Sequence, residues 1–303
     1  MYPVNTAQDT KISFTLQIST NNALFIGKNL LTLTKVDSTN NYAKLLLANS
    51  GPLPDGTVIL AEGQEQGRGQ AGNSWLSEPG KNLTFSIVLG CSFLLPADQF
   101  YLSMAVSLGI LDTLKPVLGN DCHIKWPNDI YAGKKKLGGI LIENLLAGAA
   151  LKTSVIGIGL NVNQERFPGL PRATSLMRET NTALPLEPLL GLLCQSIEAR
   201  FLQLKGGGRK DLKESYLRHL LGYGKKQLFR SGPGREQQVA GSQPAAPQSA
   251  VERPLPGPGE SKPGTSEMEP FEGVITGITH EGKLLVETET GLLTFEKKEI
   301  VFL

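Results

Sequence analysis

The chain has 303 residues, room for one large domain or two and enough to bury a core without disulfide or metal staples. Lys and Arg number 30 against 28 Asp and Glu, a net charge of +2 that argues against a protein built mainly to coat nucleic acid, though not against a local basic site. Three cysteines, Cys91, Cys122 and Cys194, form no C-x-x-C pair, which speaks against a disulfide framework or a cysteine zinc site and favours a reducing, cytoplasmic setting.

Met1 to Thr20 lacks a basic start followed by an apolar core, so no signal peptide is expected. The uncharged run Asn82 to Ala97 is short and carries Pro96, so no membrane span is expected there. Residues 1–28 carry no clear element. Leu30 to Val36 alternates like a strand, and Asp37-Ser38-Thr39-Asn40 offers N-cap chemistry for a helix over Asn41 to Ala48. Thr57 to Ala61 reads as a strand, Gly63 to Gly80 as a glycine-rich loop, and Leu83 to Leu89 as a buried strand. Pro96 and Asp98 open a helix expected to run to Leu114 and stop before Pro116. His123 to Trp126 is a short strand ended by Pro127, and Lys134 to Lys136 a basic turn. Leu137 to Glu143 and Thr153 to Val162 are two further strands.

Leu189, Leu193, Ile197 and Phe201 form one stripe of a helix over Leu186 to Leu204, and another helix is expected over Asp211 to Leu221. A strand starts at Lys226. Across 231–270, Pro and Gly make up 14 of 40 residues, above the ~25–30% that marks low complexity, and aromatics are absent. This stretch is expected to be a disordered insertion. Short strands then follow over 273–279, 283–288, 292–296 and 299–303. The organisation read from the sequence is an N-terminal segment (1–28), an α/β catalytic domain with a mixed sheet covered by helices (29–222), and a small β-domain (223–303) containing the insertion.

Four stretches carry chemistry. Gly67-Arg68-Gly69-Gln70-Ala71-Gly72 fits G-x-G-x-x-G by letter, but no helix start follows and no acid lies about 20 residues on, so the dinucleotide fingerprint is rejected. What remains is a loop with free backbone N–H groups and one arginine, suited to an anion and able to close over a ligand. Lys125-Trp126-Pro127-Asn128-Asp129 offers an amide for a base or sugar and a carboxylate for Mg²⁺ or a proton. Lys136-Leu137-Gly138-Gly139-Ile140-Leu141-Ile142-Glu143 sets a cation at the head of a strand with two glycines behind it, a point charge for phosphate. Gly157-Ile158-Gly159-Leu160-Asn161 removes side chains from one strand face, for helix packing or for a flat ligand. The three histidines, His123, His219 and His280, form no ligand-spaced pair, which speaks against a metal hydrolase. Neither G-x-S-x-G nor a Walker-type loop occurs.

Taken in order and spacing over Lys35 to Leu303, these motifs resemble the biotin–protein ligases, and most nearly the short bacterial type. The resemblance implies a class II synthetase-like catalytic domain followed by an SH3-like module. It implies activation of biotin by Mg·ATP to biotinyl-5′-AMP and transfer of biotin to a lysine of the biotin carboxyl carrier protein of acetyl-CoA carboxylase. By that resemblance Ser38, Thr39 and Gln64 bond the ureido head of biotin, and Gly67 and Arg68 line its pocket. Lys136 neutralises carboxylate and α-phosphate. Gly139, Gly157 and Gly159 leave room for the valeryl chain and adenylate. Gln70, Trp75, Asn128 and Asn161 serve the nucleotide, with Trp75 against adenine. Asn128 and Asp129 hold Mg²⁺, or Asp129 orients the acceptor amine. Lys136, Arg68 and Asp129 are the catalytic candidates.

The longer relatives in that family carry a winged helix before the catalytic domain. Only about 30 residues precede the first strand here, so no DNA partner is expected, and with no membrane span read from the sequence no membrane partner is expected either. Two positions depart from the family loop, where Gln70 and Asn73 stand in place of arginines, so the loop is expected to close less tightly on the phosphates. A lipoate-type protein ligase, or a binding protein for biotin or its adenylate that does not catalyse, are the alternative readings.

Overall fold

The computed structural model describes residues 12–15, 22–232 and 269–303. The residues 233–268 of the expected insertion lie outside those described, as do 1–11 and 16–21 of the N-terminal segment. The chain divides into two compact units, 1–221 and 222–303.

In the first unit the apolar runs become one eight-stranded sheet. Its strands are β1 (Ile12–Thr15), β2 (Leu30–Val36), β3 (Thr57–Gln64), β4 (Leu83–Gly90), β5 (Cys122–Lys125), β6 (Asp129–Ala132), β7 (Lys135–Ala147) and β8 (Ala150–Leu160). Their order is β1-β2-β3-β4-β8-β7-β6-β5, with β2 and β3 parallel and the other pairs antiparallel. Side chains alternate across a strand, so Leu31, Leu33, Ile59, Ala61, Val88 and Val155 share one face. They pack with Ala43 of α1 (Thr39–Asn49). Phe85, Ile87 and Leu89 of β4 alternate with Ser86 and Val88, and every residue of β4 but the last is buried. Helices α2 (Phe100–Leu118), α4 (Leu186–Lys205) and α5 (Arg209–His219) pack on one another. α2 is apolar and long enough to span a membrane by composition, but most of it is buried inside the fold.

Leu189, Leu193, Ile197 and Phe201 are all buried, as their spacing requires. Four local expectations are corrected. β1 lies in a segment without a clear sequence signal and is defined by pairing with β2. β6 follows the Trp126-Pro127-Asn128 turn directly, a strand the sequence reading did not include. The helix expected to end before Pro116 contains it, losing one backbone bond in its last turn, and stops at Gly119 (φ 62°). α1 starts two residues earlier than expected, and Ser38 stands at its N-cap without a side-chain cap bond. A short helix α3 (Leu176–Thr180), capped by Ser175 Oγ accepting from Arg178 N at 3.3 Å, is also new.

The second unit is a five-stranded antiparallel sheet of β9 (Lys226–Ser231), β10 (Phe271–Ile278), β11 (Leu284–Thr288), β12 (Gly291–Phe295) and β13 (Ile300–Phe302), ordered β12-β11-β10-β9-β13. Phe229, Ile275, Leu284, Val286 and Phe295 form its core. Phe271 stacks on Phe295 with centroids 5.9 Å apart.

Candidate active site

β4, β8 and β7 lie side by side with Thr84 opposite Gly159 opposite Gly139, and Ser86 opposite Gly157 opposite Leu141. Alternation puts these residues on one face, together with Glu143 two positions further along β7, and Asn161 follows the end of β8. The alternating glycines of the sequence therefore meet across two neighbouring strands.

At one end of this face Lys136 Nζ lies 2.7 Å from Asp129 Oδ1 and 6.0 Å from the centroid of the Trp75 ring. Gly139 sits beneath all three. A Cβ there would lie 3.5 Å from Asp129 Oδ1 and 3.6 Å from both Lys136 Nζ and Trp75 Cζ3. The backbone of Lys136 is clamped, since its N–H donates to Arg172 O at 2.7 Å and its carbonyl accepts from Thr174 N at 2.9 Å. Neighbouring Lys125 lies 5.1 Å over the Tyr131 ring. Burial lowers the Lys125 pKa against the pull of Asp129, with Arg172 and Lys136 adding to the depression. Burial, and then the Asp129 charge, push the Tyr131 hydroxyl up to about 12.

At the other end is a buried relay of hydroxyls and amides. Thr39 N and Oγ1 donate to Gln64 Oε1 at 2.8 and 3.2 Å. Ser86 Oγ lies 2.7 Å from Thr39 Oγ1 and 2.6 Å from Asn40 Oδ1. Asn40 Nδ2 donates to Glu143 Oε2 at 2.9 Å and to Leu141 O at 3.2 Å. Ser38, Thr39, Asn40 and Ser86 are all buried.

The loop between β3 and β4 is folded as a narrow hairpin. Arg68 pairs with Ser74, Trp75 N donates to Gly67 O at 2.8 Å, and Gly69 N donates to Asn73 O at 2.7 Å. Gln70 begins the single 3₁₀ turn at its tip. Gly67 is required by close approach, for a Cβ would stand 2.2 Å from Trp75 O.

Most of the residues expected from the sequence come together on this face, with three particulars. First, Gly157 and Gly159 do not leave open space in this structure. A Cβ on Gly157 would fall 2.5 Å from Asn40 Oδ1, and one on Gly159 2.3 Å from Trp75 Cε2. The bare strip is overlaid by an α1 side chain and by the loop tryptophan, whose Nε1 is buried without a hydrogen-bond partner among the described residues. Secondly, Asn128 uses its amide on Ile140 O at 2.7 Å, bracing β7 against the turn. Thirdly, Asn161 donates to Thr174 O at 2.9 Å, and its Oδ1 is a buried acceptor with no donor among the described residues. Three members were missed by sequence reasoning, namely Asn40, Ser86 and Glu143. Asn40 ended the N-cap stretch and Glu143 the Lys136–Glu143 motif, but neither was given a role. Ser86 sat inside an apolar strand, where a lone serine among β-formers was the available signal.

A buried polar relay, a glycine strip overlaid by Asn40 and Trp75, and a lysine–aspartate pair at the far end thus share one face of the sheet. Residues 33–161 match the biotin/lipoate A/B protein ligase family. The chain is similar to proteins named as biotin ligases. It is 26% identical over 271 residues to the bifunctional ligase/repressor BirA of Bacillus subtilis, covering 88% of this chain and 72% of that one. It is 33% identical over 168 residues to the biotin–[acetyl-CoA-carboxylase] ligase of Mycobacterium tuberculosis, covering 54% and 61%. Among solved structures, the biotin protein ligase of Aquifex aeolicus in complex with biotin and ATP superposes with a TM-score of 0.66 at 25% identity, covering 91% of this chain and 99% of that one.

Proposed function

We propose that the chain is an ATP-dependent biotin–protein ligase. Biotin and ATP give biotinyl-5′-AMP and pyrophosphate, and an acceptor lysine on a biotin carboxyl carrier protein then takes the biotinyl group with release of AMP. The observation that carries this reading is the placing of Lys136 and the Thr39–Ser86–Asn40 relay at opposite ends of one glycine strip. A ureido head needs several buried hydrogen bonds, since each polar group left unpaired costs about 1–3 kcal/mol. Ser38, whose hydroxyl is not used to cap α1, joins Thr39 and Gln64 in meeting it. The carboxylate at the other end of the ligand falls to Lys136.

In the first step a carboxylate oxygen attacks the α-phosphorus and pyrophosphate leaves. Two anions must be brought together, so a fixed cation and correct positioning are the protein's main contributions. Lys136 sits in this role because the clamp on its backbone fixes the root of its side chain. Trp75 offers its outer ring face to adenine, and Gly67 and Arg68 line the ligand with loop backbone. Gln70 lies at the loop tip on the nucleotide side, and Asn161 offers its undonated Oδ1. A magnesium ion arriving with the triphosphate needs only one or two protein oxygens. Asp129 and the side-chain oxygen of Asn128 fit that need, and the ion would supply charge neutralisation on the phosphates. In the second step the acceptor amine attacks the mixed anhydride, and Asp129 is placed to orient it. For the second unit we propose an SH3-like module.

The test is pyrophosphate–ATP exchange with and without biotin, on wild type and Lys136→Ala. Exchange that requires biotin and falls by about 10²–10³ in the variant is expected for loss of one preorganised cation. Biotin binding without any exchange in wild type would replace the enzyme with a binding protein, and lipoate-dependent exchange would replace the substrate.

A further inference from the structure

Within the 63–80 loop Arg68 is the single basic side chain. Its guanidinium does not point at the Lys136 end of the site. Nη1 donates to Asn41 Oδ1 at 2.8 Å and lies 3.1 and 3.4 Å from the two carboxylate oxygens of Glu143. Glu143 also receives Lys44 Nζ at 2.8 Å and Asn40 Nδ2 at 2.9 Å. Asn40 leads through Ser86 and Thr39 to Gln64, the last residue of β3 and the root of the loop. The chain of bonds is therefore a closed circuit, running from the loop root through α1, β4 and β7 and back to the loop at Arg68. Glu143 is where the circuit meets both Arg68 and Lys44. Burial pushes its carboxyl pKa up, but the hydrogen bonds from Lys44 and Asn40 and the charges of Lys44 and Arg68 outweigh burial, so it is ionised at neutral pH.

We propose that Glu143 is a positioning residue of the ligase, which holds the ligand-covering loop through Arg68 and ties it to the polar relay. It stands on the glycine-strip face of β7 but belongs to none of the groups assigned to biotin or nucleotide. The proposal rests on the ligase reading for its kinetic consequence, and on geometry alone for its effect on the loop. Arg68 and Glu143 side chains are 42% and 21% exposed, so the pair is partly screened and its loss acts on the loop before the fold.

The experiment uses the full chain as wild type, Glu143→Gln, Arg68→Gln and the double variant. Amide hydrogen exchange of the 66–76 peptide is expected to speed up on the order of five-fold in each single variant, with β4 and β8 unchanged. The double variant is expected to exchange no faster than the singles, because both cut one link. In biotin-dependent pyrophosphate exchange Glu143→Gln is expected to raise KM for biotin by a similar factor with a smaller change in kcat, and to add nothing in the Arg68→Gln background. Unchanged exchange of 66–76 in both singles, additive effects in the double, or loss of β4 and β8 protection in Glu143→Gln would each overturn the proposal, the last by making Glu143 structural. Failure of Glu143→Gln to fold would likewise make Glu143 structural, unless Glu143→Asp, which keeps the charge but shortens the reach, folds and frees the loop while β4 and β8 stay protected. Should wild type show no biotin-dependent exchange, the ligase reading fails while the loop measurement still decides whether Glu143 holds Arg68.

Discussion

A methyl group at Gly159 separates the site from the fold. The Cβ of Gly159→Ala would stand 2.3 Å from Trp75 Cε2, 2.6 Å from Cζ2 and 2.7 Å from Nε1. Carbon atoms in contact rest at about 3.5–4.0 Å, so the indole must withdraw by about 1.5 Å. β8 cannot yield, because Gly159 is paired with Thr84 on one side and Gly139 on the other. Trp75 can, because it rides on a largely exposed hairpin, where its backbone N–H bonds to Gly67 O of the same loop. Overpacking a closed core costs about 1–3 kcal/mol, and a ring free to rise toward solvent sits at the low end, near ~1 kcal/mol. A misplacement of about 1 Å at a reacting centre costs about 10²-fold in rate. Gly159→Ala should therefore keep its urea midpoint close to wild type while biotin-dependent pyrophosphate exchange falls about a hundredfold. Activity within threefold of wild type, or a stability loss above about 3 kcal/mol, would refute the idea that the glycine exists to seat Trp75 over the ligand strip.

Gly109→Ala should do the reverse. Its Cβ would lie 2.6 Å from Ile197 Cα and 2.8 Å from Ile197 N, where α2 crosses α4 and backbone must move. About 3 kcal/mol of overpacking less ~1 kcal/mol of helix propensity leaves roughly 2 kcal/mol lost, with KM values unchanged, as urea melts and exchange kinetics would report. Glu198, 4% exposed, accepts the backbone N–H groups of Leu24, Phe25 and Ile26 at 2.5, 2.7 and 2.8 Å. Glu198→Ala removes the carboxylate that these three N–H groups share and should cost about 2–4 kcal/mol in chemical denaturation. His219 accepts at Nε2 from Lys115 Nζ (2.5 Å) and faces Ser215 O through Nδ1 (2.8 Å), which selects the neutral ring protonated at Nδ1. Burial lowers its pKa below 6.5, the Ser215 bond opposing and the Lys115 charge assisting. The unfolded chain then binds the extra proton, so stability should fall as pH drops below about 6.5, and His219→Gln should flatten that slope between pH 7.5 and 5.5.

Trp126-Pro127-Asn128, Lys136-Leu137-Gly138-Gly139 and Gly157-Ile158-Gly159 could be singled out from the sequence because their residue types are unusual where they stand. Strand β2 and helix α4 could be read because alternation and a 3.6-residue period report which side faces a core. In each case the information is local. It depends on a residue and neighbours within two turns or one pleat.

Pairing across the sheet is different, and there the sequence alone was insufficient. β1 exists because β2 offers it an edge, and α2 runs on through Pro116 to Leu118 at the loss of one backbone hydrogen bond. The chemistry followed the same division. Lys136, Asp129 and the glycines were visible as motifs, whereas their meeting depends on the β6-β7-β8 register, which sets Gly139 beside Asp129 and Gly159. Asn40, Ser86 and Glu143 are ordinary residues in sequence, separated by 46 and 57 positions along the chain. They become one relay only when α1 is laid across β4, β8 and β7. The chemical vocabulary was therefore fixed by composition and local pattern. Which side chains share a hydrogen bond, and which glycine seats which neighbour, was decided by long-range packing, because distances of 2.5 to 3 Å between remote residues are set by the tertiary fold alone.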